Sequence, residues 1–576
     1  MRRAIRLRLR LLTFGLAAVA LLLVTRLYFV QVVHGGEFGL RAERQYMSAS
    51  QELYDRGSIY FTRKDGSVLS AATLATGFTV AMSPKLVEDP EAAYAAINAI
   101  FPIEREPFFQ SVARKEDPYE VVAKRVPEDE GRAIEALDLP GISVSRERWR
   151  SYPGETRAAQ SIGFVAFDDD DTIAGRFGLE RYYEDVLSRG STGVFGNFFA
   201  ELFANIDNAV ADGRGAREGD LVTSIEPMVQ EKLDQVLLSI NAQYGSRETG
   251  GIIMDPKTGA IIALDTAPSF NLNDFQNGDS THFGNPLVEH RYEFGSIVKA
   301  LTMAAGLDSG VVGPTSTYND TGCTTLNNKK FCNYDLKARG GGTPMQEVLS
   351  QSLNMGAAYI ALQVGHERFR GYFKDLGMNT ETGIDLPSEI RGDLANIETS
   401  PRDIEYATAS YGQGIAQTPI AMIRALGALA NDGQIVTPHL VSKVRLESGI
   451  EKQLSWGMPE RVFSSKAAED TTRMLVEVVD SKLAGGTVKI PEMSVAAKTG
   501  TAQIAGPGGK YAEGKYFHSF FGYFPAYEPR FIILLYTREP GGVQYASETL
   551  THPFMELTHF LINYYEIPPD RADYPS

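Results

Sequence analysis

Ser296-Ile297-Val298-Lys299 is the stretch on which the reading of this 576-residue chain turns. Residues three apart on a helix share a face, so the Lys299 amine can reach the Ser296 hydroxyl and take its proton. Lys299 must then be neutral at least transiently, and burial together with a nearby positive charge depresses a lysine pKa far enough. Gly295 ends a loop, and Val298, Leu301, Met303 and Ala304 begin a helical pattern. Ser296 therefore falls at a helix N-terminus, where developing negative charge is favoured. A chain of this length holds such a pair by chance roughly twice, so the pair needs company.

Two further elements supply it. Ser352-Leu353-Asn354 lies inside the helical run Val348 to Leu362, and Lys498-Thr499-Gly500-Thr501 follows an apolar strand, Met493 to Ala497. A second hydroxyl can relay a proton to a leaving amine, an amide can orient base and substrate, and a strand lysine can attract a carboxylate. Thr499 and Thr501 add hydroxyl donors, and Gly500 lets a substrate backbone approach closely. Ser239-Ile240-Asn241, Ser269-Phe270-Asn271 and Lys257-Thr258-Gly259 repeat parts of this pattern, but all precede Ser296. The last follows Asp255-Pro256 and reads as turn chemistry.

Bulk properties narrow the class. The chain is 43% hydrophobic and 22% charged, with a formal charge of −16 and a pI near 5.2. That mean field repels nucleic acid, so no nucleic-acid partner is expected. Eight scattered histidines and the lack of a C-x-x-C or H-E-x-x-H pattern imply no metal site and no cofactor. The run Asp168 to Asp171 lacks the spacing of a calcium loop and reads as a solvated acidic loop. Five arginines from Arg2 to Arg10 precede an apolar stretch from Leu11 to Val33. That length spans a bilayer, and arginines before it keep this end cytoplasmic. A cleaved signal peptide is the competing reading. An extracytoplasmic body permits a disulfide between Cys323 and Cys332, which flank a plausible hairpin turn at Asn327-Asn328; two free thiols are the alternative.

The expected organisation is a tail at residues 1–10, a transmembrane helix at 11–33, a mostly β, non-catalytic platform at 34–218 that mixes alternating stretches such as Gly77 to Ala81 with charged helical runs around Glu128 to Leu137, a catalytic domain at 219–568 and a tail at 569–576. In the catalytic part, Pro227 to Ile240 has helical spacing, and strands around Asp255 to Gly259 form a tight hairpin. Helices are expected at Ile297 to Gly306, Met345 to Val364 and Pro419 to Asn431, with strands at Met493 to Ala497, Phe520 to Phe524 and Phe531 to Thr537. Helices packed on an antiparallel sheet make this an α+β fold.

Ser-x-x-Lys, Ser-x-Asn and Lys-Thr-Gly in this order form the signature of penicillin-binding proteins and class A β-lactamases. Nearly the whole chain resembles a class B penicillin-binding protein of the division type, a monofunctional peptidoglycan D,D-transpeptidase. Arg56-Gly57-Ser58-Ile59, Arg150-Ser151-Tyr152-Pro153-Gly154 and Gly178-Leu179-Glu180 with Tyr183 look like that family's platform motifs. Pro268-Ser269-Phe270 with Asn273, Tyr411-Gly412-Gln413-Gly414 and His518-Ser519-Phe520-Phe521-Gly522 resemble its catalytic domain. Phe294 stands where the family usually has proline.

The resemblance implies acylation of Ser296 by the penultimate D-alanine of a stem peptide, loss of the terminal D-alanine, and attack by an amine of a neighbouring stem. Lys299 would be the base, Ser352 the proton relay, Asn354 the orienting amide, and Lys498, Thr499 and Thr501 the carboxylate site. The backbone N–H groups of Ser296 and Thr501 would form the oxyanion hole, and β-lactams should acylate the same serine. Septal division with a polytopic membrane glycosyltransferase and other divisome proteins as partners is implied, with side-wall elongation as the alternative. A D,D-carboxypeptidase or β-lactamase would use water in place of the acceptor amine, and the long platform and membrane anchor speak against it. A non-catalytic β-lactam sensor or scaffold would not need all three motifs.

Overall fold

The computed structural model describes residues 55–167, 173–189, 218–506 and 511–571. The apolar stretch Leu11 to Val33 and the acidic run from Asp168 lie outside them. Among the described residues no helix is long and apolar enough to cross a membrane.

The described chain forms two compact units. The smaller is Leu74–Arg150. In it, most of the strand Val68–Met82 pairs with Glu120–Val126 and Ile142–Ser151. Phe78, Val80 and Met82 alternate along the strand and bury against Ile97, Phe108, Val112 and Ile134 of the helices Pro90–Ile100, Arg105–Ala113 and Glu128–Glu135. The expectation of a mostly β platform is thus corrected to a mixed one. The helical run expected around Glu128 is the helix Glu128–Glu135, Pro90–Ile100 and Arg105–Ala113 are two more, and the sheet supplies the surface that buries all three.

The larger unit takes in Arg56–Thr73 and Ser151–Arg189 together with the described part of Gly196–Ser576. Its centre is a five-stranded antiparallel sheet in the order Ala496–Ala505, Tyr511–Phe524, Phe531–Arg538, Glu248–Met254, Ile261–Ala267. Phe520 to Phe524 and Phe531 to Tyr536 in its middle strands read as nearly unbroken apolar runs because both faces are covered there. Phe520, Phe524, Ile533 and Leu535 point into one core with Val229, Leu233 and Leu237 of the helix Pro227–Tyr244 and Phe554, Leu557 and Leu561 of the helix Thr551–Tyr565. Phe521, Tyr523, Ile532 and Leu534 point the other way, into a core shared with the helix Val298–Asp308. That helix is buried on all sides from Val298 to Gly306, as an element apolar all round should be. Glu226 caps Pro227–Tyr244 by accepting from the N–H groups of Met228 and Val229, and Thr418 caps Pro419–Ala430 through Ala421 N–H.

Two expected elements shift. Met345 to Val364 is two helices, Met345–Ser350 and Asn354–Val364, because Ser352 adopts a left-handed backbone with φ 56°. The strand expected at Met493 begins at Ala496 and runs on to Ala505, since its pairing with Tyr511–Phe524 starts only at Ala496, opposite Tyr523.

Candidate active site

Ser296 lines a cleft of about 1260 Å³ in the larger unit. Gly295–Ile297 form one 3₁₀ turn that runs straight into Val298–Asp308, so Ser296 and Lys299 sit one turn apart on one face. Gly295 has φ +62°, and a Cβ there would lie 2.7 Å from the Thr501 carbonyl oxygen. Only glycine lets this loop lie against the strand Ala496–Ala505. Phe294 closes the loop from behind. It is 1% exposed, its ring meets Phe517 edge-on at 5.3 Å, and its carbonyl accepts from Ser519 Oγ at 2.7 Å.

Lys299 Nζ lies 3.0 Å from Ser296 Oγ, 3.1 Å from Ser352 Oγ and 2.6 Å from the Ser352 carbonyl oxygen. The left-handed turn at Ser352 presents both its hydroxyl and its carbonyl to the same amine. Non-glycine residues pay strain for that conformation, and such strain concentrates where geometry serves a site. Lys498 Nζ reaches the same hydroxyl, 3.2 Å from Ser352 Oγ, and donates to the Thr499 carbonyl at 3.0 Å. Lys299 and Lys498 are 1% and 3% exposed. Burial, and secondarily the charge of Lys498, hold Lys299 well below the ordinary lysine range. Burial alone brings Lys498 down to about 7.

Asn354 donates from Nδ2 to the Cys332 carbonyl at 2.9 Å. That carbonyl belongs to a hairpin, Cys323–Leu326 with Lys329–Cys332, in which Cys323 and Cys332 are directly opposed and joined by a disulfide. Asn333 ties the hairpin base down, donating to both oxygens of the buried Asp320 at 3.0 Å and accepting from Met355 N–H at 3.0 Å. Thr499 and Thr501 line the cleft. Thr501 Oγ1 accepts from Ala546 N–H at 3.0 Å, and Gly500 lies in ladder register with Ser519.

All the residues chosen from the three motifs therefore converge. The look-alikes do not: Lys257-Thr258-Gly259 closes a turn around Asp255, whose carboxylate accepts from Lys257 N–H at 2.8 Å, and Ser239 to Asn241 lie within Pro227–Tyr244. The motif residues outside the cleft join up elsewhere. Arg56 and Glu180, 2% and 0% exposed, form an ion pair at 2.6 Å. Asn273 both donates to and accepts from the Tyr152 backbone, at 2.8 and 3.0 Å.

Sequence reasoning missed Glu293. It lies in the cleft wall, accepting from Gly414 N–H at Oε1 and from Tyr511 O–H at Oε2, each at 2.9 Å. Its place directly before Phe294-Gly295-Ser296 was the available signal.

A fully buried lysine shared between two serine hydroxyls, beside a strand that presents a second lysine, is equipped for acyl transfer through Ser296. Residues 249–556 match the family model of the penicillin binding protein transpeptidase domain, and residues 53–195 that of the penicillin-binding protein dimerisation domain. Stage V sporulation protein D of Bacillus subtilis is 28% identical over 556 residues, covering 94% of this chain and 83% of that protein. A peptidoglycan D,D-transpeptidase FtsI homolog of Mesostigma viride is 26% identical over 587 residues, covering 95% and 94%. Penicillin binding protein 2X of Streptococcus thermophilus shares the fold with a TM-score of 0.72 at 18% identity, over 90% of this chain and 81% of that one. Penicillin binding protein 3 of Mycobacterium tuberculosis, solved in complex with aztreonam, does so with a TM-score of 0.68 at 20% identity, over 90% and 98%. With its serine–lysine pair, its second hydroxyl and its Lys-Thr-Gly strand gathered on this fold, the chain belongs to the penicillin-binding protein transpeptidase family, as a class B member.

Proposed function

We propose that the chain is a peptidoglycan D,D-transpeptidase that works through a Ser296 acyl-enzyme. The observation that carries this reading is the position of Lys299 Nζ, within hydrogen-bonding distance of both Ser296 Oγ and Ser352 Oγ while fully buried. A lysine whose pKa is depressed can accept the Ser296 proton as Oγ attacks the carbonyl carbon of the penultimate D-alanine. The C–N bond to the terminal D-alanine then breaks, and the proton passes by way of Ser352 to the departing amine. Lys498 attracts the substrate carboxylate, with Thr499 and Thr501 donating to it. Asn354 orients the substrate amide. The N–H groups of Ser296 and Thr501 stabilise the tetrahedral oxyanion. A positioned general base contributes roughly 10²–10⁴ in rate.

The remaining assignments rest on sequence. The arginine-flanked stretch Leu11 to Val33 is a membrane anchor with the catalytic body outside the cytoplasm, and residues 34–218 form the non-catalytic platform ahead of a transpeptidase domain at 219–568. The role is septal, beside a polytopic glycosyltransferase and other divisome proteins, and β-lactams acylate Ser296. Penicillin binding protein 3 of Mycobacterium tuberculosis, solved in complex with aztreonam and with ampicillin, supports that last point. Fluorescent penicillin labelling tests the nucleophile: Ser296→Ala should lose the label, and equal labelling of wild type and variant refutes the assignment. Incubation with a pentapeptide and an acceptor amine should give an amide product, and hydrolysis alone refutes transpeptidation. Midcell recruitment of a fluorescent fusion tests the septal role, which a dispersed lateral signal opposes.

A further inference from the structure

The reaction proposed above needs a second substrate, an amine, and one wall of the cleft is built to receive one. Among the described residues three carboxylates line the cleft: Glu293, Glu405 and Glu548. Glu405 is ion-paired with Arg402, and Glu548 is exposed and caps a short helix at Tyr545. Glu293 differs from both. It is only partly exposed, is held by two hydrogen-bond donors, Gly414 N–H and Tyr511 O–H, and has no ion-pair partner among the described residues. An ionised carboxylate has about four acceptor positions, so two donors leave it able to bind more. A partly desolvated charge without a counter-ion attracts a cation more strongly than one in open water.

Its neighbours suit an ammonium group. Tyr511 and Tyr411 also line the cleft, and tyrosine faces attract cations. Lys299 Nζ already lies 6.0 Å from the centroid of the Tyr411 ring, so this wall is one ring away from the catalytic amine. The loop carrying Tyr411 is fastened to the nucleophile loop at two points, Gly295 N–H to the Gly412 carbonyl at 3.2 Å and Gly414 N–H to Glu293 at 2.9 Å. Glu293 is itself three residues before Ser296. Burial pushes its carboxyl up, opposed by those two hydrogen bonds.

We propose that Glu293, flanked by Tyr411 and Tyr511, is the specificity residue for the acceptor, binding the side-chain ammonium of the incoming stem peptide beside the Ser296 acyl-enzyme. The bound ammonium releases one proton to solvent. The free amine attacks the acyl carbonyl carbon, an N–C bond forms as the C–Oγ bond breaks, and the amine's second proton returns through Lys299 to Ser296 Oγ.

The inference rests on the transpeptidase reading, and the test separates the two. The full chain is acylated with a pentapeptide donor, and amide formation is measured with two acceptors: a lysine-bearing stem tripeptide, cationic at pH 7.5, and hydroxylamine, neutral there. In wild type the lysine acceptor should be preferred, with a KM that rises with ionic strength. Glu293→Gln, which keeps an acceptor for Gly414, should lower the preference for lysine over hydroxylamine about tenfold, through the acceptor KM, and abolish its salt dependence. A preference within threefold of wild type overturns the proposal. So does a wild-type lysine KM indifferent to salt, a measurement that stands even where the variant does not fold. Wild type that is labelled by fluorescent penicillin yet forms amide with neither acceptor refutes the transpeptidase reading instead.

Discussion

Replacing Gly500 with alanine tests how closely catalysis depends on the seam between the Lys-Thr-Gly strand and the nucleophile loop. A Cβ at Gly500 would lie 2.4 Å from Ser519 Oγ, 2.5 Å from the Phe294 carbonyl oxygen and 3.0 Å from Ile297 N. Ordinary contact begins at 3.4 Å, so the Phe294 carbonyl has to retreat by roughly 0.9 Å. Ser519 cannot absorb the clash, because it is fully buried and its hydroxyl holds that same carbonyl at 2.7 Å. Phe294 is two residues before Ser296, so the nucleophile moves with it. A misplacement of about 1 Å costs on the order of 100-fold in rate, equivalent to about 2.7 kcal/mol in the barrier, while overpacking destabilises the fold by about 1–3 kcal/mol. Stopped-flow acylation by a fluorescent penicillin should therefore slow about 100-fold in Gly500→Ala, with a modestly lower Tm. Gly371 is the control: it lies in the helix His366–Asp375, and a Cβ there meets nothing within 4 Å. Gly371→Ala should acylate as wild type does. A Gly500→Ala enzyme acylating within threefold of wild type would falsify the claim that this seam positions Ser296.

Three further outcomes follow from the site. Opening the Cys323–Cys332 disulfide, by reductant or by paired Cys→Ser substitution, should release the Cys332 carbonyl from Asn354 and slow acylation about fivefold, the equivalent of one hydrogen bond of about 1 kcal/mol; wild type indifferent to reductant refutes this. The pH profile of kcat/KM should rise as Lys299 loses its proton, well below the ordinary lysine range, and fall as Lys498 loses its charge from about 7 upward. In Lys498→Met the neighbouring charge is gone, Lys299 holds its proton more tightly, and the acid limb should move to higher pH; an acid limb that stays in place or moves down contradicts that coupling. Burial holds His518 down to about 4, its ring bonded to Thr549 Oγ1 and the Gln544 carbonyl. Because the folded pKa lies below the unfolded one, its contribution is complete above about 6.5 and is lost as pH falls towards 4, about 3 kcal/mol in all. His518→Gln should show a correspondingly shallower loss of unfolding free energy over that window, measured by urea titration, and an unchanged slope counts against the assignment.

Much of the catalytic unit was legible because its signals are local. The Ser296–Lys299 spacing puts two groups on one helical face whatever surrounds them. The apolar runs around Phe520 and Phe531 had to be doubly covered strands, and the Asp255 turn betrayed Lys257 as a look-alike. The helix break at Ser352 was not legible, since Met345 to Val364 keeps helical spacing throughout; the left-handed residue is stabilised by what it offers Lys299, a partner 53 positions away in sequence. Of the platform's helices only the charged run around Glu128 to Leu137 stood out; Pro90–Ile100 and Arg105–Ala113 did not, because they owe their stability to the sheet beneath them.

By itself, then, the sequence determined the three motifs around Ser296, Ser352 and Lys498 proposed to carry the chemistry, and the α+β fold that holds them. Only the tertiary structure decided how they act on one another. It set two lysines on one serine hydroxyl, hung Asn354 from a disulfide-closed hairpin, and placed Glu293 in the cleft wall with no counter-ion among the described residues. Those are contacts between segments 20 to 220 residues apart, and their energies depend on shared burial, which no local pattern encodes.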